Sequence, residues 1–300
     1  MFLVDGTYEL FRHYHGAPRH QGADGMEVGA TRAAVGSVLG MLEGGATHLA
    51  VATDHVIESW RNDAWPSYKS SAGVPGDLLG QFQLFEDALA ALGVPVWPMV
   101  DLEADDALAS GAAVLAEDPR AEQVLICTPD KDLGQCVRGT RVVCLDRRKN
   151  AVVDEDAVRD RFGVGPTSVP DWLALVGDSA DGYPGLPGWG AKATTAVLAR
   201  FGDIESVPTS GPPWPVDLPQ GRKATLRSAL VEGRELALLF KRLATCVVRP
   251  EILPPGRAAL DSLCWPGPAA ELEEMSLRLG SASLQRRASG LAATRGRGPA

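Results

Sequence analysis

Short apolar runs take turns with helix-like spacing through the first half of the chain, and that alternation leaves few folds open. Phe2-Leu3-Val4, Leu49-Ala50-Val51-Ala52, Val94-Pro95-Val96-Trp97 and Val124-Leu125-Ile126-Cys127 read as strands, and residues 28–43, 77–92 and 103–117 carry apolar side chains at helical spacing. Strands separated by helices pair in parallel through crossovers, so the expected architecture is α/β, a doubly wound and mostly parallel sheet. Three of these runs are followed within three residues by an aspartate: Asp5, Asp54 and Asp130. Ligands of open α/β sheets bind beyond the carboxyl ends of the strands, where these carboxylates would converge.

After about residue 160 the pattern changes to helices and turns. Residues 168–177, 190–201 and 221–245 read as helical, the last interrupted near Gly233, and a Pro-rich connector occupies 207–219. The expected regions are therefore 1–160, 161–250 and 251–300. From Ser276 onward every charge is basic (Arg278, Arg286, Arg287, Arg295 and Arg297) among Ala, Gly and Ser, which predicts a mobile tail.

More acids follow. In DLEADDALAS, Glu103 and Asp106 lie three apart on one helical face with Asp105 beside them; TPDKDLGQ adds Asp132 to Asp130, and GDSADG adds Asp178 and Asp181. Taken singly, each group has an ordinary explanation in helix capping or an Asp-rich turn. Together, Asp5, Asp54, Glu103, Asp105, Asp106, Asp130, Asp132, Asp178 and Asp181 are nine carboxylates that could face one crevice, where they would repel one another unless cations sat among them. Oxygen donors without His or Cys select hard ions such as magnesium or manganese. A site with room for two such ions suits phosphodiester hydrolysis, one ion activating water and the other stabilising the leaving oxygen. The stretch GDSADGYPGLPGWGAKA fits this reading, because its glycine turn opens into a helix N-terminus that attracts the phosphates its aspartates would repel.

Composition restricts the setting. With 45% hydrophobic and 22% charged residues the chain is an ordinary globular protein, and no apolar stretch reaches the length of a membrane span. Position 5 is already acidic and no basic n-region precedes an apolar run. Five cysteines without C-x-x-C spacing argue against a disulfide framework or a zinc site, so the expected location is cytoplasmic. A net charge of -9 speaks against a general nucleic-acid binder, but setting aside the nine clustered acids leaves 38 − 9 = 29 acids against 29 bases.

The motifs LVDGTYELFR, WRNDAWPSYK, EADDALAS, TPDKDLGQ and GDSADGYPGLPGWGAKATTAVLARFG occur in the order and rough spacing of the 5′ nucleases. Over roughly residues 1–250 the chain resembles the 5′-3′ exonuclease domain of bacterial DNA polymerase I, the bacteriophage 5′ nucleases and the flap endonucleases. The resemblance implies a PIN-like catalytic domain at 1–160 with a helical arch at about 55–80, a helix-three-turn-helix DNA-binding subdomain at 161–250, and a C-terminal extension. It implies that the nine acids are the metal-site acids, with Lys69, Asp130 and Asp132 catalytic. Gly185, Gly188 and Gly190 would form a DNA-binding hairpin around a potassium ion, supported by Lys192. Tyr68 would stack on a terminal base, Lys69 would stabilise the scissile phosphate, and Arg12 and Arg61 would contact phosphates. The implied substrate is DNA with 5′ ends or 5′ flaps, cut by a monomer in repair or replication. One departure matters: Ala72 stands where the family usually has an arginine, three residues beyond the lysine.

Two alternatives stay open at this point. A catalytically weak DNA-binding scaffold of the same fold is favoured by Ala72 and opposed by the full acid set. VDGT and VGDSADG also resemble fragments of haloacid-dehalogenase phosphatases, whose nucleophilic aspartate would fall at Leu3.

Overall fold

A computed structural model describes residues 1–296; Arg297 of the expected tail lies outside them. The elements run β1 (Phe2–Asp5), α1 (Gly6–Gly16), α2 (Gly29–Glu43), β2 (Leu49–Asp54), α3 (Trp60–Ala64), α4 (Gly76–Leu79), α5 (Gln81–Ala91), β3 (Val96–Met99), α6 (Ala104–Ala116) and β4 (Val124–Cys127). There follow β5 (Val142–Asp146), β6 (Ala151–Val153), α7 (Glu155–Phe162), α8 (Val169–Val176), α9 (Ala191–Phe201), α10 (Gln220–Glu232) and α11 (Arg234–Ala244). Last come α12 (Ala258–Asp261), α13 (Leu272–Arg278) and α14 (Ala282–Thr294). Two compact units interleave along the chain: one comprises 1–57, 71–128 and everything from Val248, the other 58–70 and 129–247.

In the first unit β1 to β4 form a parallel sheet in the order β3-β2-β1-β4, with Leu3 opposite both Ala50 and Ile126. Leu3, Val4, Ala50, Val51 and Ala52 are fully buried, as parallel strands covered on both faces must be. Leu3 is thus a core residue, and the position of a phosphatase nucleophile is unavailable for chemistry. Pro98 can sit in β3 because β3 is an edge strand. The turn from β1 into α1 needs Gly6: a Cβ there would lie 2.7 Å from the Ala52 carbonyl oxygen.

The C-terminal segment belongs to this unit. Trp265 donates from its backbone N–H to the Thr47 carbonyl at 2.9 Å and from its indole to the Leu92 carbonyl at 2.8 Å. The expected mobile tail is instead helical. Leu284, Ala288 and Ala292 of α14 are buried at i, i+4 and i+8, and Arg287 grips Glu43 at 2.9 and 2.6 Å. Arg295 donates to the carbonyls of Ala46 and Leu42, the latter at the end of α2.

In the second unit β5 and β6 pair antiparallel, and α8 packs against α9 and α11. Tyr183 stacks on Phe240 at 5.3 Å and Trp65 meets the same ring edge-on at 5.1 Å. The expected arch at 55–80 contains helices of only five and four residues, α3 and α4, separated by a stretch holding Pro66, Gly73 and Pro75. Its residues 58–70 belong to the second unit and 71–80 to the first.

Candidate metal centre

The acids of the first unit stand at strand ends and helix starts. Asp5 caps α1, accepting from the Tyr8 N–H at 2.8 Å, and its second oxygen accepts from the Thr128 hydroxyl at 2.9 Å. Asp54, at the end of β2, accepts from the Ala104 N–H at 2.6 Å at the start of α6. Asp106 reaches back to the Glu103 N–H at 3.0 Å, a capping box in which both acids are buried. Capping and convergence at the carboxyl ends of β1 and β2 therefore coexist.

The second unit holds a tighter group. Asp132, Asp178 and Asp181 each offer a carboxylate oxygen, and these lie within 4.8 Å of one another. The sequence between them explains how. Asp130 accepts from the Asp132 N–H at 2.9 Å, opening a short 3-10 turn at Asp132–Cys136. Around Asp178 the chain closes a tight loop: its N–H donates to the Tyr183 carbonyl at 2.8 Å, and its own carbonyl accepts from Gly182 and Tyr183. Gly177 and Gly185, both at positive φ, let the two ends of this loop touch; a Cβ on Gly185 would lie 2.4 Å from Gly177 N.

Residues 58–70 then clamp the loop. The Trp65 indole donates to the Gly182 carbonyl at 3.0 Å, the Lys69 N–H donates to the Asp181 carbonyl at 3.1 Å, and the Lys69 ammonium lies 3.3 Å from Asp181 Oδ1. Asn62 anchors this lysine by donating to its carbonyl at 2.9 Å. A second ammonium enters the group itself: Lys131 Nζ donates to Asp132 Oδ1 at 3.0 Å and to Asp178 Oδ2.

Burial, and next the charge of Asp130, pushes the Asp132 carboxyl up to about 7. Lys131 is held well above its ordinary value: burial opposes this, but the charges of Asp132 and Asp178 outweigh it. Burial first, and then the surrounding carboxylates, also raise Tyr183, whose hydroxyl is buried without a hydrogen-bond partner. A cluster of oxygen donors in which the charge of Asp132 is disfavoured, and which already draws in an ammonium, fits a hard divalent cation.

Other expected site residues divide. Gly185 and Gly188 take positive φ, Gly190 opens α9 without a side-chain cap, and Lys192 is exposed in its first turn, the arrangement of an anion-facing helix start. Arg61 does not face solvent: it is buried and donates to the Leu243 and Thr245 carbonyls at 2.8 and 3.2 Å, closing the end of α11, which leaves its expected phosphate contact unsupported. Tyr68 is 5% exposed, with the Lys69 ammonium 5.6 Å from the centre of its ring, which leaves its expected stacking on a terminal base unsupported. Arg12 pairs with buried Glu9 at 2.5 Å. Asp105 is half-buried in the first turn of α6. Sequence reasoning missed Lys131, Tyr183 and Arg222, whose guanidinium donates to the Gly188 carbonyl. Only Lys131 carried a signal, standing inside the DKD triplet.

Comparison with known proteins gives the family. Residues 1–163 match the 5′-3′ exonuclease N-terminal resolvase-like domain, and residues 164–253 match the 5′-3′ exonuclease C-terminal SAM fold. The chain belongs to the 5′-3′ exonuclease family. It is 30% identical over 245 residues to a 5′-3′ exonuclease of Buchnera aphidicola, covering 81% of this chain and 80% of that one. It is 32% identical over 247 residues to DNA polymerase I of Pseudomonas aeruginosa, covering 82% of this chain but 27% of the relative, so the chain spans about a quarter of such polymerases. The fold is shared with bacteriophage T5 5′-exonuclease bound to zinc, at a TM-score of 0.64 and 17% identity over 98% of both chains. The catalytic core of Rad2 in complex with DNA substrate is similar at a TM-score of 0.60 and 16% identity, over 97% of this chain and 91% of that one. Among the described residues no helix is long and apolar enough to cross a membrane.

Proposed function

We propose that this chain is a metal-dependent 5′ nuclease that hydrolyses DNA phosphodiesters at 5′ ends or 5′ flaps, as a cytoplasmic monomer in repair or replication. The observation that carries this reading is the trio Asp132, Asp178 and Asp181, with ligand oxygens within 4.8 Å, in a chain matched by both halves of the family. Magnesium or manganese suits these donors, with two ions per molecule: the trio and Asp130 holding one, and Asp5, Asp54, Glu103, Asp105 and Asp106 the remaining donors. Bound ions would supply activated water and stabilise the charge of the leaving oxygen.

The chain's own residues do the rest. Lys69, fixed to Asp181 through both its N–H and its ammonium, is positioned to stabilise the scissile phosphate. On this reading the turn of Gly185, Gly188 and Gly190 would hold a potassium ion, and the first N–H groups of α9, with Lys192 beside them, would meet duplex phosphates. Arg222 holds the Gly188 carbonyl and so fixes that turn. None of these contacts reads a base edge, in keeping with selection of substrate by structure.

The test is cleavage of a 5′-labelled flap duplex, beside a blunt duplex and a single strand, in magnesium and in EDTA. Magnesium-dependent cutting near the flap junction is the expected result. Binding of the flap without cutting would instead establish the weak scaffold, with Ala72 as its mark.

A further inference from the structure

We infer that Lys131 is the resident counter-ion of the second-unit acids: in the metal-free protein its ammonium stands in the place of a divalent ion, and metal loading displaces it. The inference rests on the metal-site reading of Asp132, Asp178 and Asp181. Lys131 Nζ bridges two members of that trio, 3.0 Å from Asp132 Oδ1 and hydrogen-bonded to Asp178 Oδ2, while the third, Asp181, is faced by Lys69 at 3.3 Å. Asp132 and Asp178 are buried and Lys131 is partly so, which makes this more than a surface pair. Asp130, exposed at the edge, accepts from the Asp132 N–H at 2.9 Å and adds its charge beside the trio.

Geometry makes the two cations exclusive. A magnesium ion takes carboxylate oxygens at about 2.1 Å, and an ammonium still bridging the same oxygens would lie within a few ångströms of it, where like charges repel strongly in a half-buried site. The lysine must therefore leave before those oxygens can close on a metal. Metal affinity in this half of the site is the difference between two cations competing for one set of donors, and the lysine keeps the acids tolerable when no metal is bound.

The experiment titrates manganese alone into the full chain by calorimetry for wild type, Lys131→Met and Asp178→Asn, with magnesium-dependent acylation of Lys131 by an amine reagent followed by mass spectrometry in the wild type. Lys131→Met should bind manganese about tenfold more tightly, because the competitor is gone, and should melt at a lower temperature than wild type in EDTA. Acylation of wild-type Lys131 should speed up as magnesium is added. Equal manganese affinity in wild type and Lys131→Met overturns the inference while leaving the site reading intact, provided Asp178→Asn loses the binding. Should Lys131→Met fail to fold, acylation decides alone, and a rate unmoved by magnesium overturns it. No manganese binding by wild type overturns both readings.

Discussion

In the first unit the carboxylates are held by backbone N–H groups: Asp5 by Tyr8, Asp54 by Ala104, and Asp106 by Glu103. In the second they face ammonium groups, Asp132 and Asp178 sharing Lys131 while Asp181 faces Lys69. The N–H groups are part of α1 and α6 and cannot leave without unwinding a helix turn, whereas a lysine side chain can swing away without moving the backbone. On the proposed function, the first set would serve the fold and the site together, and the second would serve the site at the expense of the fold, where activity and stability trade against each other.

The largest effect should come from the second set. Asp178→Asn keeps the oxygen that accepts from Ala180 at 2.9 Å but removes the negative charge, so flap cleavage should fall by about a thousandfold or more while the circular dichroism spectrum is unchanged. Retained turnover would break the comparison by showing that this set is not the metal centre. Lys69→Ala should come next, lowering kcat by roughly a hundredfold with little change in DNA affinity. Equal losses in both would make Lys69 a binding residue only.

The strand-end aspartates and the acid-rich start of α6 were legible in the sequence because they follow apolar runs whose period is unmistakable. The observed β4 coincides with its expected run, and the helix read at 221–245 does break at Gly233, into α10 and α11. The first helix, α1, was not read as one, since its apolar face is short and its charges mixed. The α14 helix escaped because two of its three buried positions are alanines, too small to stand out from a polar tail. The fate of Arg61 was illegible for a different reason. An arginine that closes a helix end 182 residues away and one that binds phosphate look alike in sequence. In the sequence Lys131 is no more than the residue between two aspartates, and only the folded loop at Asp178 makes it a bridge.

Stability sharpens the comparison further. Asp106→Ala removes the acceptor of a buried N–H and should cost about 1–2 kcal/mol in urea unfolding, with or without magnesium. Asp178→Asn in EDTA should show no such loss, because it relieves repulsion among the remaining acids. It should also lack the rise in melting temperature expected of the wild type in magnesium, a stabilisation of about 2.7 kcal/mol at a hundredfold excess over Kd. A destabilised Asp178→Asn protein would mean that the Lys131 bridge, and not the repulsion, dominates this cluster.

The smallest effect is a slope with pH. Asp132 titrates near 7 in the folded chain, against an ordinary value of 3.8, because burial and Asp130 disfavour its charge. A carboxyl raised on folding binds its proton more tightly in the native state, so between these two values the folded protein holds a proton that the unfolded chain has lost. Stability in EDTA should therefore rise as pH falls through 7, the reverse of the usual carboxylate behaviour, by less than about 1 kcal/mol between about pH 8 and about pH 6.5. The measured quantity is the difference in slope between wild type and Asp132→Asn, which should vanish in saturating magnesium, where a bound cation would favour the ionised carboxylate. A slope that persists in magnesium would place the titrating group outside the metal centre and remove the electrostatic contrast between the two acid sets.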